Sequence, residues 1–492
     1  MTTPSSRLAP EHPDDGQGPG GRLPGSDADA GLQAGLKNRH LSMIAIGGVI
    51  GAGLFVGSAS GIAAAGPGIL LSYALVGTMV VLVMRMLGEM AAADPSSGSF
   101  SAYADRALGR WAGFSIGWLY WFFWVVVLAI EATAGAVILE GWMPAVPQWG
   151  WALIVMAVLT VTNLVSVGSF GEFEFWFAGI KVFAIGAFIV IGGLAVFGVL
   201  PGSDGGGDGF SNLTSHGGFL PHGADAILTG VLMVVFSFMG SEIVTLAAGE
   251  SSDPRRAVSK ATNSVIWRIA VFYLGSIFVV VALLPWDSDA IQEKGSYVAA
   301  MDEIGIPHAG QVMNVIVLTA VLSCLNSGLY TASRMAFSLG GRGDAPKSFA
   351  RTTARGVPQT AILSSVAFGF LAVWFNYQWP DTVFEFLLNS SGAVALFVWL
   401  VICLSQLRMR RIILRENPER LVVRMWLFPY LTWATIGMIS FVLVYMLTEP
   451  DTRKQVLLSV LAAALVVVLA LVRDKVTGRG GRDTEDRADA KV

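Results

Sequence analysis

Long apolar runs separated by short polar connectors fill the chain between residues 42 and 473. The hydrocarbon core of a bilayer requires about 20 mostly apolar helical residues, and somewhat more when the helix tilts. Segments that meet this requirement fall near 42–64, 66–90, 113–140, 149–169, 174–200, 225–249, 264–285, 309–338, 359–377, 383–407, 425–447 and 455–473. They predict an all-α integral membrane protein with twelve transmembrane helices, spans one to twelve. Turn chemistry marks the connectors: Ala65-Gly66-Pro67-Gly68, the Gly-rich stretch 202–218, and corners at Pro144, Pro147 and Pro358.

Lysine and arginine set the orientation, because cytoplasmic loops carry their excess. An even span count puts both ends of the chain on one side. That side collects Arg85, Arg106 and Arg110 between spans two and three, and Arg255, Arg256, Lys260 and Arg268 between six and seven. Arg334, Arg342, Lys347, Arg351 and Arg355 follow between eight and nine, then Arg408, Arg410, Arg411, Arg415, Arg420 and Arg424 between ten and eleven. The opposite side holds only Lys294, Arg453 and Lys454. Both termini are therefore expected in the cytoplasm, and the alternation itself favours twelve spans. Residues 1–36, rich in Pro, Gly, Ser and Asp, are expected to form a disordered cytoplasmic tail. They contain no uninterrupted apolar stretch of the kind a cleaved signal peptide needs. Residues 474–492 are read as a polar cytoplasmic C-terminal tail.

Composition agrees with the pattern. Charged residues make up 14% of the chain and hydrophobic ones 54%, whereas soluble domains carry about 25% charged residues. Glycine (57) and tryptophan (15) are abundant, as in membrane helices and their borders. A net charge of −3 supplies no basic field for nucleic acid, so no such partner is expected. Cys324 and Cys403 lie within apolar runs and read as packing thiols, with no metal-ligand spacing around them. The 5 histidines include His40, His216, His222 and His308 in predicted tails or loops, without metalloprotease or nucleophile-elbow motifs. An enzyme is not expected.

Two apolar spans are interrupted. Span one contains Gly47-Gly48-Val49-Ile50-Gly51-Ala52-Gly53-Leu54-Phe55, with four glycines in seven residues. Each weakens a helix by roughly 1 kcal/mol relative to Ala and lets the backbone unwind and a ligand approach. Span six contains Phe236-Ser237-Phe238-Met239-Gly240-Ser241-Glu242, a Gly beside an intramembrane carboxylate. Unwound backbone at that depth has to line a cavity or be buried in protein. Its N–H groups suit a carboxylate, and its carbonyls suit an ammonium. A break in span one repeated five spans later is the pattern of two inverted five-helix repeats. These would occupy 37–200 (spans one to five) and 225–407 (spans six to ten), followed by two peripheral helices over 424–473. Close packing through small residues is the other reading of the span-one glycines; the second break, with Glu242, favours a site.

Motifs beyond the breaks carry a resemblance. They include Leu36-Lys37-Asn38-Arg39-His40, Gly98-Ser99-Phe100-Ser101-Ala102-Tyr103-Ala104, Phe238-x-Gly240-x-Glu242, Ala248-Gly249-Glu250-Ser251 and Asn326-Ser327-x-x-Tyr330-x-x-Ser333-Arg334-Met335. From Leu36 to about Val472 the chain resembles the amino acid–polyamine–organocation (APC) transporters, and within them the bacterial amino acid permeases. Gly109-Arg110-Trp111-Ala112-Gly113, Gly171-Glu172-Phe173-Glu174-Phe175-Trp176, Arg342-Gly343-Asp344-Ala345-Pro346 and Ser405-Gln406-Leu407-Arg408-Met409-Arg410 are most similar to the γ-aminobutyrate (GABA) permeases. Aromatic and other neutral amino acid permeases share several of them. The resemblance implies secondary active, proton-coupled uptake of GABA by alternating access in the bacterial cytoplasmic (inner) membrane. It also implies a small zwitterionic amino acid as substrate, the lipid bilayer as surroundings, and no cofactor besides the coupling proton. Alternatives are a permease for aromatic amino acids, D-alanine, D-serine, glycine or proline, an amino acid exchanger, or a transporter-like sensor.

In the resembling transporters the substrate carboxylate sits on backbone amides of the span-one break, which here means Gly51, Ala52 and Gly53. The ammonium is held by carbonyls at the positions of Val49, Phe236 and Met239, and an aromatic at Phe236 gates the substrate. Phe238 and Gly240 share the span-six motif. Ala52 departs from many relatives, which carry Ser there; the backbone donors remain. An ionisable residue within a span costs about 2.5–3.5 kcal/mol at the helix centre, and four need explaining. Lys181 matches a lysine that, in sodium-independent relatives, takes the place of a sodium ion; snorkelling to the cytoplasmic edge is the alternative. Glu242 reads either as a proton carrier or as a structural hydrogen-bond acceptor holding the broken helix. Glu131 is expected to face the path and contact a substrate amine, with pairing inside the bundle as the other reading, and Glu89 to be an interfacial partner for a nearby Arg. Ser323 and Asn326 of span eight are further substrate-contact candidates, with helix–helix bridging as their other reading. The run from Trp118 to Trp124 reads as packing and interface belt.

Overall fold

Backbone in hydrocarbon has no water to bond, so an apolar segment satisfies its amides internally as helix. The computed structural model describes residues 36–47, 50–96, 98–165, 167–200, 210–248 and 253–476. Span one comes in pieces: α1 (Asn38–Gly47), α2 (Ala52–Phe55) and α3 (Gly57–Ala65). A Gly-Pro-Gly 3-10 turn joins α3 to α4 (Ile69–Ala93). A short helix absent from the sequence-based layout, α5 (Ser99–Leu108), turns Phe100, Tyr103 and Ala104 inward. Gly109 ends α5 at φ +117° and opens α6 (Arg110–Trp142), which α7 (Gln148–Val165) and α8 (Val167–Val196) follow.

Span six is α9 (Asp225–Phe238) and α10 (Ile243–Ala247). Span seven begins with α11 (Pro254–Trp267), whose Asp253 cap accepts the Arg256 amide and whose Pro254 occupies the first turn. It continues through a π-helical stretch, Arg268–Gly275, into α12 (Ser276–Leu283). Two short helices, α13 (Asp289–Lys294) and α14 (Ser296–Glu303), precede α15 (Ala309–Gly341). The remainder is α16 (Gln359–Gln378), α17 (Pro380–Glu416), α18 (Tyr430–Thr448) and α19 (Pro450–Val476).

Among the described residues, ten helical stretches are long and apolar enough to cross a membrane, and Gln359–Phe375 is a shorter apolar helix. The difference from the predicted twelve has a physical source. The breaks leave span one in pieces, and its last part runs on through the tight turn into span two as a single stretch, Ala52–Ala93. The central helices α6 and α15 pack against each other and are buried over much of their length, whereas α19 lies at the edge with Leu461, Leu465 and Val468 outward. Similar residues face outward from α7 (Val158, Val161) and α8 (Phe183, Val190). Apolar surface of that extent suits lipid rather than water.

Ionic ties hold the ends. Glu172 at the start of α8 accepts from Arg39 and His40 of α1 and lies 3.9 Å from Lys37. His40, placed by sequence in a tail, is thus buried inside α1. Asp344 gathers Arg110 (3.1 Å), Arg473 (2.6 Å) and Arg342 (3.8 Å), joining α6 and α19 to the turn after α15. Glu89, expected at an interface, is buried and accepts from the Met425 amide (2.6 Å), Gln406 (2.9 Å) and Arg410 (3.4 Å). Several arginines assigned to connectors lie on helices instead, and two of them are buried. Arg334 sits on α15 and stacks on Tyr330, and Arg268 is 2% exposed and reaches the span-six break.

Candidate functional site

The site begins with what the glycines permit. Beyond Gly47 the α1 helix stops, and Gly51 is extended at φ −141° before α2 starts. A side chain on Gly51 would meet Cys324 Cβ and Glu131 Oε1 at 2.6 Å, and one on Gly53 would meet Phe236 and the Ser237 backbone at 2.9 Å. Each glycine therefore lets span one lie against a neighbour, close enough for Glu131 and Ser237 to bond its backbone. Close packing through small residues thus coincides with a break in the helix. Val49 lies outside the described residues.

The second break is sharper. Met239 is extended, Gly240 takes φ +100°, and helix resumes at Ile243. A positive φ of that size is natural only to glycine. Ser237 donates to the Gly53 carbonyl at 2.6 Å, so the two breaks are bonded to each other. Glu242 Oε1 accepts from the Gly240 amide (3.1 Å) and from the Tyr120 hydroxyl (2.7 Å), fastening the broken span to α6. Its Oε2 has no hydrogen-bond partner among the described residues. Arg268 donates to Ser241 at 2.8 Å from the π-helical stretch.

Between the breaks lies a cavity lined by Gly53, Phe123, Trp124, Val127, Glu131, Phe236, Met239 and Cys324. Its volume is about 10 Å³, the scale of a single water molecule. An amino acid does not fit in that volume and needs the walls to move apart. Glu131 lines this cavity and is at the same time paired within the bundle. Its carboxylate lies on the Ala52 amide, at 3.2 Å from Oε1 and 3.1 Å from Oε2. A side-chain carboxylate thus occupies the seat that the resemblance gives to the substrate carboxylate.

A second polar node lies beside the first break. Lys181 is fully buried rather than snorkelled, and its Nζ donates to the Ile50 carbonyl (3.1 Å) and to Ser323 Oγ (2.8 Å). Ser323 in turn donates to Glu174 Oε1 at 2.7 Å, and Glu174 lies 3.9 Å from Lys181 Nζ. Asn326, one turn further along α15, accepts from Asn163 of α7 at 2.8 Å.

The structure therefore brings Gly53, Glu131, Phe236 and Met239 to one cavity, with Gly51 and Ala52 in contact with Glu131 at its edge. Ser323 joins Lys181 instead, and Asn326 bridges helices. Phe238 turns away and stacks on Tyr273 with centroids 4.3 Å apart. Gly240 faces the Trp124 ring. Sequence reasoning passed over Tyr120, Phe123, Trp124 and Cys324 as packing residues, and did not assign a site role to Glu174 or Arg268. The only sequence signal for Glu174 is its spacing of seven from Lys181, which is two helical turns on one face. Among the described residues no group of His, Cys, Asp and Glu is arranged to hold a metal ion.

Comparison with known proteins follows the same lines. A family model described as amino acid permease matches residues 40–486. The gamma-aminobutyric acid permease of Bacillus subtilis (strain 168) is 55% identical over 447 residues, covering 91% of this chain and 95% of that protein. Its namesake from Escherichia coli (strain K12) is 52% identical, covering 89% and 93%. An aromatic amino acid transport protein of Corynebacterium glutamicum is 44% identical, covering 93% and 99%. Among solved structures, the manganese transporter of Eremococcus coleocola in complex with an aromatic bis-isothiourea substituted compound superposes with a TM-score of 0.54 at 13% identity. That alignment covers 88% of this chain and 92% of the other, and shows a shared fold.

Proposed function

The chain belongs to the amino acid permease family, and from that premise we propose that it carries γ-aminobutyrate, or a zwitterion of similar size, into the cell by proton-coupled alternating access. Permeases are transporters rather than enzymes, and the chain is a multi-pass membrane protein. Our reading adds the bacterial cytoplasmic membrane, twelve spans with both termini in the cytoplasm, and two inverted five-helix repeats with spans eleven and twelve outside them.

The observation that carries the reading is the carboxylate already seated on the span-one break. The Ala52 amide binds the Glu131 carboxylate at 3.1 Å, so the backbone there accepts that chemistry. In the proposed cycle the walls open and the substrate carboxylate takes the seat on Ala52. The displaced Glu131 carboxylate then receives the substrate ammonium, together with the Phe236 and Met239 carbonyls. A zwitterion satisfies both exchanges, whereas a simple carboxylic acid satisfies one. Phe236 closes over the cargo. Lys181 holds the Ile50 carbonyl beside the break where sodium-coupled relatives would hold a metal ion, and Glu242 braces the second break against Tyr120.

Purified protein in liposomes with an imposed pH gradient tests this. Labelled GABA should accumulate with the gradient and fail to accumulate when an uncoupler collapses it; equal accumulation in both conditions removes proton symport. The 44% identity to an aromatic amino acid transporter makes competition decisive for the substrate. Unlabelled GABA should displace the label better than phenylalanine, D-alanine, D-serine, glycine or proline. Strong stimulation by internal substrate with little net uptake would mark an exchanger.

A further inference from the structure

Glu174 has no part in the cycle described above, yet its side chain is among the most enclosed in the protein, with 0% exposure. It sits on α8 two turns before Lys181, on the same helix face. The two side chains and Ser323 of α15 form a chain of contacts that ends at the break in span one. In order, the Ile50 carbonyl accepts from Lys181, Lys181 donates to Ser323, and Ser323 donates to Glu174. One carboxylate oxygen, Oε1, is committed to Ser323 and is 3.9 Å from the lysine. The other, Oε2, is buried with no hydrogen-bond partner among the described residues.

Two physical points follow. A buried carboxylate oxygen without a donor is a costly way to hold a negative charge. Adding a proton there removes the charge without disturbing the Ser323 bond. The lysine has two acceptors already in place, the Ile50 carbonyl and Ser323 Oγ. Other titratable groups around the pair are Glu131 on α6 and Cys324 on α15, both within electrostatic reach of Lys181. From the remaining neighbours, α7 presents Asn163 toward Asn326, and the segment after α1 presents the Ile50 carbonyl. Glu131 is occupied by the Ala52 amide. Glu174 is therefore the group in this node with an unused proton site.

We propose that Glu174 is the residue that links proton binding to substrate binding: a proton taken up on its free oxygen removes the counter-charge of Lys181 and leaves the lysine as an unbalanced cation beside the span-one break, where it favours a bound carboxylate. The proton comes from hydronium in the aqueous phase. One O–H bond breaks there and one forms at Glu174 Oε2, and no other bond changes. Glu174 touches no cavity wall and acts through Lys181, so it is a positioning residue. The inference rests on the proton-coupled reading above and sharpens it.

The test uses the full-length protein in liposomes, with GABA uptake measured from pH 5.5 to 8.5, for the wild type, Glu174→Gln and Glu174→Asp. Wild-type KM should fall with acidification, by at most about tenfold per pH unit for one linked proton. Glutamine keeps the Ser323 acceptor but cannot titrate. E174Q should therefore hold a nearly constant, low KM, should retain GABA–GABA exchange, and should lose gradient-driven accumulation. E174D should restore the pH linkage with a displaced midpoint. If the wild type shows no pH linkage, the proton-coupled reading itself fails. If the wild type is linked and E174Q remains equally linked, only the role of Glu174 is overturned. Should E174Q not yield a monodisperse protein, Ser323→Ala carries the test, because it cuts the hydroxyl bridge and keeps both charges. A shifted midpoint supports the proposal and an unmoved one rejects it.

Discussion

Glu131 occupies the position that an incoming carboxylate would need, and this yields a prediction at the scale of one side chain. Its hydrogen bonds to Ala52 hold the break satisfied while no cargo is present. Glutamine at 131 still accepts from that amide but offers no charge to an ammonium. A hydrogen bond to a charged group contributes about 1.5–3 kcal/mol, so Glu131→Gln should raise the KM for GABA about tenfold or more. Butyrate lacks the amine and should compete poorly with the wild type but measurably better against this variant, where displacing residue 131 no longer strands a charge. Unchanged butyrate competition would reject the tethered-carboxylate account. Gly240 supports a second prediction. A Cβ there would carry φ +100° and sit 3.3 Å from Ile243 and 3.4 Å from Trp124. Gly240→Ala should lower stability by about 1–3 kcal/mol, read as a reduced melting midpoint in detergent.

At the scale of elements, α8 couples two opposite charges through the spacing of its own turns. Removing one member of a buried pair costs about 3–5 kcal/mol because the other is stranded. Lys181→Ala should abolish transport and lower the melting midpoint, and adding Glu174→Gln to it should recover much of the stability while transport stays lost. A double-mutant cycle measures this directly; strictly additive losses would mean that the two residues do not interact. The same helix shows what sequence can and cannot convey. Its length and apolar character were plain, and Lys181 stood out as a charge set within an apolar run. The facing of Glu174 did not, because α8 is apolar around most of its circumference and offers no stripe from which to read an inward side. The breaks of spans one and six were legible from Gly51, Gly53 and Gly240, since glycine clusters carry a backbone meaning of their own. Their mutual bond through Ser237, and the reach of Arg268 from span seven, depend on which helices become neighbours. Hydropathy along a single chain does not encode that. For the same reason α5 escaped notice: ten residues of mixed polarity resemble a loop until Phe100 and Tyr103 have something to pack against.

For the whole molecule, the cavity of about 10 Å³ is too small to hold an amino acid. Transport then requires an excursion that enlarges the space between α2, α6, α9 and α15. Cys324 lines that space, while Cys403 is buried on α17 away from it, and these are the two cysteines of the chain. A small maleimide should therefore label Cys324 slowly in the absence of substrate, and more slowly still with saturating GABA, while Cys403 stays unreactive. Labelling that is fast and indifferent to substrate would contradict a closed, solute-excluding site at the two breaks.

The π-helical stretch Arg268–Gly275 gives span seven slack in its winding. Each amide there reaches one residue further back than in an ordinary helix, so the segment holds an extra residue that tighter coiling could release. Releasing it would rotate one end of the span against the other by roughly 100°, the angle one residue subtends. The guanidinium that now touches Ser241 at the second break would be carried off by that turn. A shortened span seven, with Val271 deleted, would begin already wound past this contact and should favour whichever face of the membrane the loosened break opens toward.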